Sequence, residues 1–293
     1  MAPQFPRPAD VAVLGLQFDE SLDRSRFEVT PRLARHDGGL YGGSAVAASV
    51  AAMEAVSGRP ALWVTTQYVA TAPANAVVDC TAEVLANGRN ISQVQVQGRT
   101  EGQLLFMSVG STAFPREDGI EGQFQTMPSM VGPEESPAMT FGAPSSSGFR
   151  GFVEQVEYRV ASSLEGEPSP PTLAMWVRFV DRHAFTPAGI SFVADMVPGA
   201  IARSVNMVGG GTSLDNSLRF GRIAEDHEWV MLDLRAHMAA GAHAHGSVCV
   251  WSVSGELLAV GGQSTNMTHM VPVEKWEQWA AAGNGAGDGD ASQ

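Results

Sequence analysis

The 293-residue chain has few charged side chains, few cysteines and no long apolar run. Only 17% of its residues are charged and 44% are hydrophobic, which predicts a folded protein with real cores. Basic side chains are fewer than acidic ones, 18 against 31, and the formal net charge is -13. Such a surface repels phosphate backbones and anionic lipid heads. Neither nucleic acid nor a membrane is therefore an expected partner.

The two cysteines are too few and too distant to build a disulfide framework or a metal site. Cys80 and Cys249 each lie in an apolar run, which is typical of buried free thiols. His243 and His245 alternate with small residues in Gly-Ala-His-Ala-His-Gly, but no third ligand accompanies them. We expect these histidines at a solvated hairpin tip, and we expect no metal and no cofactor.

No stretch approaches the roughly 20 apolar residues of a membrane helix, and the first ten residues lack the apolar run of a secretory signal. A chain of 293 residues suits one large domain or two of ordinary size. The default expectation is a cytoplasmic enzyme.

Composition divides the chain into four zones. Residues 14–115 and 151–272 carry regular strand and helix patterns and are predicted to be two domains. Residues 116–150 are rich in Gly, Pro, Ser and Met and are predicted to be a linker. Residues 280–293 are small and polar, and this tail is predicted to be disordered.

Each predicted domain contains one helix followed by an antiparallel meander. The helices are predicted over residues 42–57 and 188–204 from their apolar spacing. One helix cannot cover both faces of a curved sheet, so a sheet wrapped around its helix is the expected α+β arrangement.

The turns of the two meanders correspond. Gly88 pairs with Gly241 and Gly102 with Gly255, at a common spacing of 153 residues. Matching turns in the same order of elements predict an internal duplication.

Four segments make the chain resemble the acyl-CoA thioesterase II (TesB-like) family of tandem hotdog enzymes. The segments are Leu-Tyr-Gly-Gly at 40–43, Asn-Gly-Arg-Asn-Ile-Ser at 87–92, Ser-Leu-Asp-Asn-Ser-Leu-Arg-Phe at 213–220 and Gly-Glu-Leu-Leu-Ala-Val-Gly-Gly-Gln at 255–263. The resemblance covers most of residues 14–270. It implies a double hotdog fold, with two antiparallel sheets each wrapped around a central helix. It also implies hydrolysis of a fatty acyl-CoA to CoA and free acid. A homodimer or higher homo-oligomer is a separate expectation.

The resemblance also implies particular site residues. The family's catalytic Asp and Gln fall on Asp215 and Gln263, which would activate and position a water. The family's Thr falls on His237, which is a departure. If the register holds, His237 lies beside Asp215, and the carboxylate would raise its pKa. The helix start at Gly42 and Gly43 would bind the thioester carbonyl.

Each assignment has a structural alternative. Asp215 would otherwise cap a loop or face solvent, Gln263 would line a rim, and His237 would lie on a solvated face. The Gly pair would serve close packing. Without a Gly-x-Ser-x-Gly elbow, no covalent intermediate is expected. The competing functions are a non-catalytic acyl-CoA-binding protein and a hydratase that uses Asp181 and His183.

Overall fold

The computed structural model describes residues 4–116, 118–139, 151–166, 171–223 and 227–281. Part of the predicted linker and nearly all of the predicted tail at 280–293 lie outside these residues. No helix within the described ranges is long and apolar enough to cross a bilayer.

In the part of the chain that the structure describes, the N-terminal half has one long helix and six strands. Its elements are α1 (Pro8–Leu14), β1 (Gln17–Phe18), β2 (Arg24–Glu28), α2 (Gly42–Ser57), β3 (Ala61–Tyr68), β4 (Val77–Asn87), β5 (Ile91–Thr100) and β6 (Gln103–Ala113). The alanines of α2 are buried on almost every side, which lets β3 to β6 pack closely against it. The helix ends at Gly58, whose left-handed backbone (φ 64°) suits glycine.

The C-terminal half repeats this order. Its elements are β7 (Val156–Val160), β8 (Leu173–Phe179), α3 (Pro187–Ala194), α4 (Val197–Ser204), β9 (Met207–Phe220), β10 (Val230–Ala240), β11 (His243–Ser252), β12 (Leu257–Pro272) and α5 (Val273–Ala281). The predicted spacing recurs, since β4 and β10 start at Val77 and Val230 and end at Asn87 and Ala240, 153 residues apart.

Within the described residues, the strands of both halves form one antiparallel sheet of twelve. Its order is β1-β2-β4-β5-β6-β3-β9-β12-β11-β10-β8-β7. The two halves meet where β3 pairs with β9, from Trp63 opposite Arg219 to Gln67 opposite Asp215. Helix α2 packs against α3 on one face of this sheet. The predicted α+β arrangement is therefore present, and the two predicted sheets are joined edge to edge.

The second predicted helix, over 188–204, is broken in two. Asp195 leaves the helical conformation at ψ 49°, and α4 starts again at Val197. Pro198 causes the break, because a proline has no amide to donate to the carbonyl four residues earlier. The break places Asp195 at the junction between α3 and α4.

The predicted linker lies partly on the outer face of the C-terminal half, opposite the helices. Trp176 donates its indole N–H to the Val131 carbonyl across 2.8 Å, and Gln123 accepts from the Leu257 amide across 2.8 Å. Met127 and Met130 pack there on a separate hydrophobic cluster made of Ala161, Trp176, Trp229, Met231 and Trp251. The predicted domain boundaries themselves stay a prediction.

Candidate active site

A buried carboxylate, Asp195, is the centre of the candidate site. It is only 7% exposed. Its Oδ1 accepts three side-chain hydrogen bonds, from Gln263 Nε2 at 2.6 Å, Asn216 Nδ2 at 2.9 Å and the Tyr68 hydroxyl at 3.4 Å. Three separate strands thus converge on one oxygen atom.

Both halves of the molecule contribute to this cluster. Asn216 and Gln263 are directly opposite each other on β9 and β12, and Tyr68 ends β3 of the N-terminal half. The Tyr41 hydroxyl, just before α2, donates to the Asp195 backbone carbonyl across 3.1 Å. The site therefore exists only where the two halves are joined.

Burial raises the pKa of Asp195 to about 7. The donors from Asn216, Tyr68, the Gly43 amide and Gln263 oppose this rise, because they stabilise the charged form. A carboxyl with this pKa is partly ionised near neutrality, and it can both take and return a proton. That is the property required of a general base.

The helix start at Gly42 and Gly43 faces this carboxylate. A Cβ at Gly42 would lie 2.5 Å from Asp195 Oδ2 and 2.9 Å from the Tyr68 hydroxyl oxygen. A Cβ at Gly43 would lie 2.3 Å from the Phe192 carbonyl oxygen, so this glycine also allows α2 and α3 to pack closely. The start of α2 carries partial positive charge and amides that can bind an anion.

Gln263 has an unused acceptor. The residue is 1% exposed, and its Nε2 donates to both Asp195 and Ser213 Oγ, the latter across 2.7 Å. Its Oε1 is buried and has no hydrogen-bond partner among the described residues. A buried amide oxygen without a donor is costly, so this atom is suited to receive an O–H from a bound molecule.

The structure does not place Asp215 with Gln263. A bulge leaves Leu214 unpaired, because Ser264 is opposite Asp215 while Thr265 is opposite Ser213. The extra residue reverses the alternation of the strand. Ser213 and Asn216 therefore face Asp195, whereas Asp215 faces the other side and accepts from the Ser264 amide across 2.7 Å. The predicted base is thus on the wrong face to act with Gln263.

His237 is not beside Asp215 either. It is the extra residue of a bulge in β10, it is exposed, and its Nε2 shares a hydrogen bond with Ser247 Oγ at 2.8 Å. Strands β11 and β12 separate it from β9, which at about 4.8 Å per strand is roughly 14 Å. The expected contact between His237 and Asp215 is therefore wrong. The hydroxyl group in contact with Gln263 is that of Ser213.

His243 and His245 were expected at the tip of a hairpin, but both belong to β11, and the turn is formed by Gly241 and Ala242. His245 is half-buried and packs edge-on against His237, with ring centroids 5.6 Å apart. Across the described ranges, no group of three or more His, Cys, Asp or Glu side chains is arranged to hold a metal ion.

The hydratase alternative required Asp181 and His183 to act together as acid and base, but Asp181 is exposed and paired elsewhere. Asp181 forms an exposed ion pair with Arg32 at 3.2 Å.

Four residues of the site were missed from the sequence: Tyr68, Asp195, Ser213 and Asn216. Asp195 had a usable signal, because it is the one charged residue in the apolar run 187–202. A lone carboxylate in a buried helix is costly unless it is used. The others gave no signal of their own.

The N-terminal half lacks the polar side chains that correspond to Gln263 and Asn216. The 153-residue spacing maps Gln263 onto Gly110, and the residue opposite Gly110 is Val64, where Gln263 has Asn216. A Cβ at Gly110 would lie 2.9 Å from Met53 Sδ, so no glutamine fits there. Of the two related positions, only the one at Asp195 keeps these hydrogen-bonding groups.

The sequence matches two family descriptions, the acyl-CoA thioesterase N-terminal domain over residues 30–113 and the acyl-CoA thioesterase C-terminal domain over residues 133–267. The chain belongs to the acyl-CoA thioesterase family. The predicted family and the predicted activity, hydrolysis of acyl-CoA thioesters, are confirmed.

Solved structures agree. A candidate thioesterase of Novosphingobium aromaticivorans is 31% identical, with a TM-score of 0.78 over 87% of this chain and 98% of that one. A hotdog-fold protein of unknown function from Alicyclobacillus acidocaldarius is 17% identical, with a TM-score of 0.72 over 90% and 99%. The acyl-CoA thioesterase II TesB2 of Mycobacterium marinum is 18% identical, with a TM-score of 0.67 over 89% and 97%. The predicted double hotdog fold is confirmed. No curated protein matches the chain significantly.

Proposed function

We propose that this thioesterase hydrolyses fatty acyl-CoA at Asp195, with Gln263 and Ser213 positioning the attacking water. The observation that carries this proposal is the buried, unpartnered Oε1 of Gln263 beside the Asp195 carboxylate. A water that donates one O–H to Gln263 Oε1 and the other to Asp195 would satisfy both groups. Gly42 and Gly43 keep their predicted role at the thioester carbonyl.

The reaction proceeds in two steps without a covalent enzyme intermediate. Asp195 takes a proton from the water while the water oxygen bonds to the carbonyl carbon, and the carbonyl oxygen becomes an oxyanion at the start of α2. The oxyanion then collapses, the carbon–sulfur bond breaks, and the CoA thiolate takes the proton from Asp195. The products are free acid and CoA, and the carboxylate is restored.

The non-catalytic alternative depended on the loss of the family's hydroxyl at His237. Ser213 removes that reason, because its Oγ already accepts from Gln263. The fatty nature and length of the acyl chain, the cytoplasmic location and the homo-oligomeric state remain predictions from the sequence.

The test is release of free thiol from acyl-CoAs of several chain lengths. Replacement of Asp195 by Asn keeps the shape and removes the proton acceptor, so kcat should fall about 10²-fold or more for every chain length. Circular dichroism and thermal melting establish that the variant is folded.

Asp215→Asn is the matched control. It removes an acid from the opposite face, and the Asn oxygen can still accept from the Ser264 amide, so near-wild-type kcat is expected. If Asp215→Asn is inactive while Asp195→Asn is active, Asp195 is not the base. If the wild-type protein binds acyl-CoA without releasing thiol, the non-catalytic function is correct.

A further inference from the structure

Tyr68 reaches from the N-terminal half to the carboxylate of the C-terminal half. Its hydroxyl donates to Asp195 Oδ1 across 3.4 Å, whereas Gln263 and Asn216 donate to the same atom across 2.6 and 2.9 Å. An O–H···O hydrogen bond is usually close to 2.7 Å, so the Tyr68 bond is weak. The hydroxyl can turn to a better acceptor while the two amides hold the carboxylate in place.

The same hydroxyl lies against the start of α2. The position of a Cβ at Gly42 is 2.9 Å from the Tyr68 oxygen and 2.5 Å from Asp195 Oδ2, so both groups lie close to the bare backbone of this glycine. The Gly43 amide also faces the Asp195 carboxylate. One O–H donor and one N–H donor thus lie at the place where the thioester oxygen would be bound.

Negative charge is transferred from Asp195 to the thioester oxygen during the proposed reaction. When Asp195 takes a proton from water, its negative charge disappears and an equal charge develops on the thioester oxygen. Donors that stabilised the carboxylate are then free to stabilise the oxyanion. Of the side-chain donors to Asp195, Tyr68 has the longest hydrogen bond and loses least by turning.

We propose that the Tyr68 hydroxyl is a catalytic hydrogen-bond donor that turns from Asp195 to the thioester oxygen as the oxyanion forms. This role rests on the proposed function of Asp195. The O–H bond of Tyr68 is not broken in either step. Burial, followed by the charge of Asp195, raises the pKa of the phenol well above 10, so the hydroxyl keeps its proton at neutral pH.

The experiment is a pH profile of kcat for Tyr68→Phe, which removes only the hydroxyl. Loss of one oxyanion donor typically lowers kcat about 10²-fold, and this loss should persist on the plateau well above pH 7. Binding of a non-hydrolysable S-alkyl-CoA should be unchanged, because this thioether has no carbonyl oxygen. Tyr158→Phe removes a buried hydroxyl from β7 that is not one of the donors to the Asp195 carboxylate, and it should leave the plateau at its wild-type value.

A role limited to positioning gives a different result. If Tyr68 only tunes the carboxylate, its removal moves the acid limb upward and the plateau returns to the wild-type rate, which would overturn the proposal. If Tyr68→Phe does not fold, 3-fluorotyrosine at position 68 provides the test. Its hydroxyl is a stronger hydrogen-bond donor, so the plateau rate should be kept or raised. A fall in the plateau rate would contradict the role. Thiol release by the wild-type protein distinguishes failure of the proposed function from failure of the Tyr68 role. If the wild-type protein releases no thiol, the proposed function is wrong. If it does release thiol, the Tyr68 variants test the role of Tyr68 alone.

Discussion

Gln263 and Asp195 are joined by a 2.6 Å hydrogen bond that links strand β12 to the break between α3 and α4. The same amide nitrogen also donates to Ser213 Oγ, and the amide oxygen has no hydrogen-bond partner among the described residues. A water bound there would be held by groups that are already fixed. Such preorganisation lowers the cost of reaching the transition state.

Activity should depend on pH through Asp195, whose pKa is raised to about 7 by burial. The base must be ionised, so kcat should rise as pH increases through about 7 and fall about tenfold per unit below it. Asn216→Leu removes a hydrogen bond that favours the ionised form, so the acid limb should move to higher pH. Rates from pH 5 to 9 check this, and an unmoved limb in a folded variant would show that Asn216 does not tune the base.

Gly42→Ala should lower activity strongly, because the added methyl cannot be placed without moving the Asp195 side chain. The added methyl would lie 2.5 Å from Asp195 Oδ2, in the space assigned to the thioester oxygen. We expect kcat/KM to fall by about 10²-fold, the scale for a misplaced reacting group. Gly199→Ala in α4 is the control, because its methyl would make an ordinary 3.5 Å contact with Leu173. Equal effects of the two substitutions would contradict a special role for Gly42.

His237→Thr should leave both the rate and its acid limb unchanged. The side chain is exposed on the outer face and bonds to Ser247, so it does not act on the base. Ser213→Ala, by contrast, removes the acceptor of Gln263 Nε2 and should lower kcat roughly 10-fold or more. Thiol-release rates of the two variants decide the point, and a large loss in His237→Thr would restore that residue to the site.

A second buried acid should make stability depend on pH. Burial, with a smaller contribution from Glu54, raises the pKa of Asp10 from 3.8 to about 7, although Thr186 and Arg7 oppose the rise. Between these values the folded protein keeps a proton that the unfolded chain has lost. Stability should therefore fall as pH rises from about 4 to 7, by an amount on the order of a few kcal/mol, and level off above.

Asp10→Asn removes this titration and keeps an oxygen to accept from Thr186. Urea midpoints at pH 5 and pH 8 should then differ less than in the wild type, and part of the slope should remain because Asp195 acts with the same sign. The exposed carboxylate in Asp79→Asn serves as the comparison and should keep the wild-type slope. An undiminished slope in Asp10→Asn would rule out this source.

Much of the fold could be predicted from local sequence. Turn glycines at one spacing marked the duplicated meanders, because hairpin turns need residues that adopt positive φ; Gly102, Gly241 and Gly255 do so at 84°, 57° and 88°. The alanines of α2 predicted a helix with strands packed closely around it. The resemblance to the family named Gln263 and the glycine pair, and in the structure these residues lie against Asp195; their roles stay a prediction.

The choice of the acid was decided by tertiary structure. The resemblance to the family assigned Asp215 to the site, but one unpaired residue, Leu214, reverses the faces of the strand, and this bulge exists only in the pairing of β9 with β12. Asp195 is the proposed base because the break at Pro198 and the packing of both halves bury it among donors. Local sequence determines which elements form and roughly where they end. Which side chains meet depends on register and burial, and both are properties of the assembled sheet.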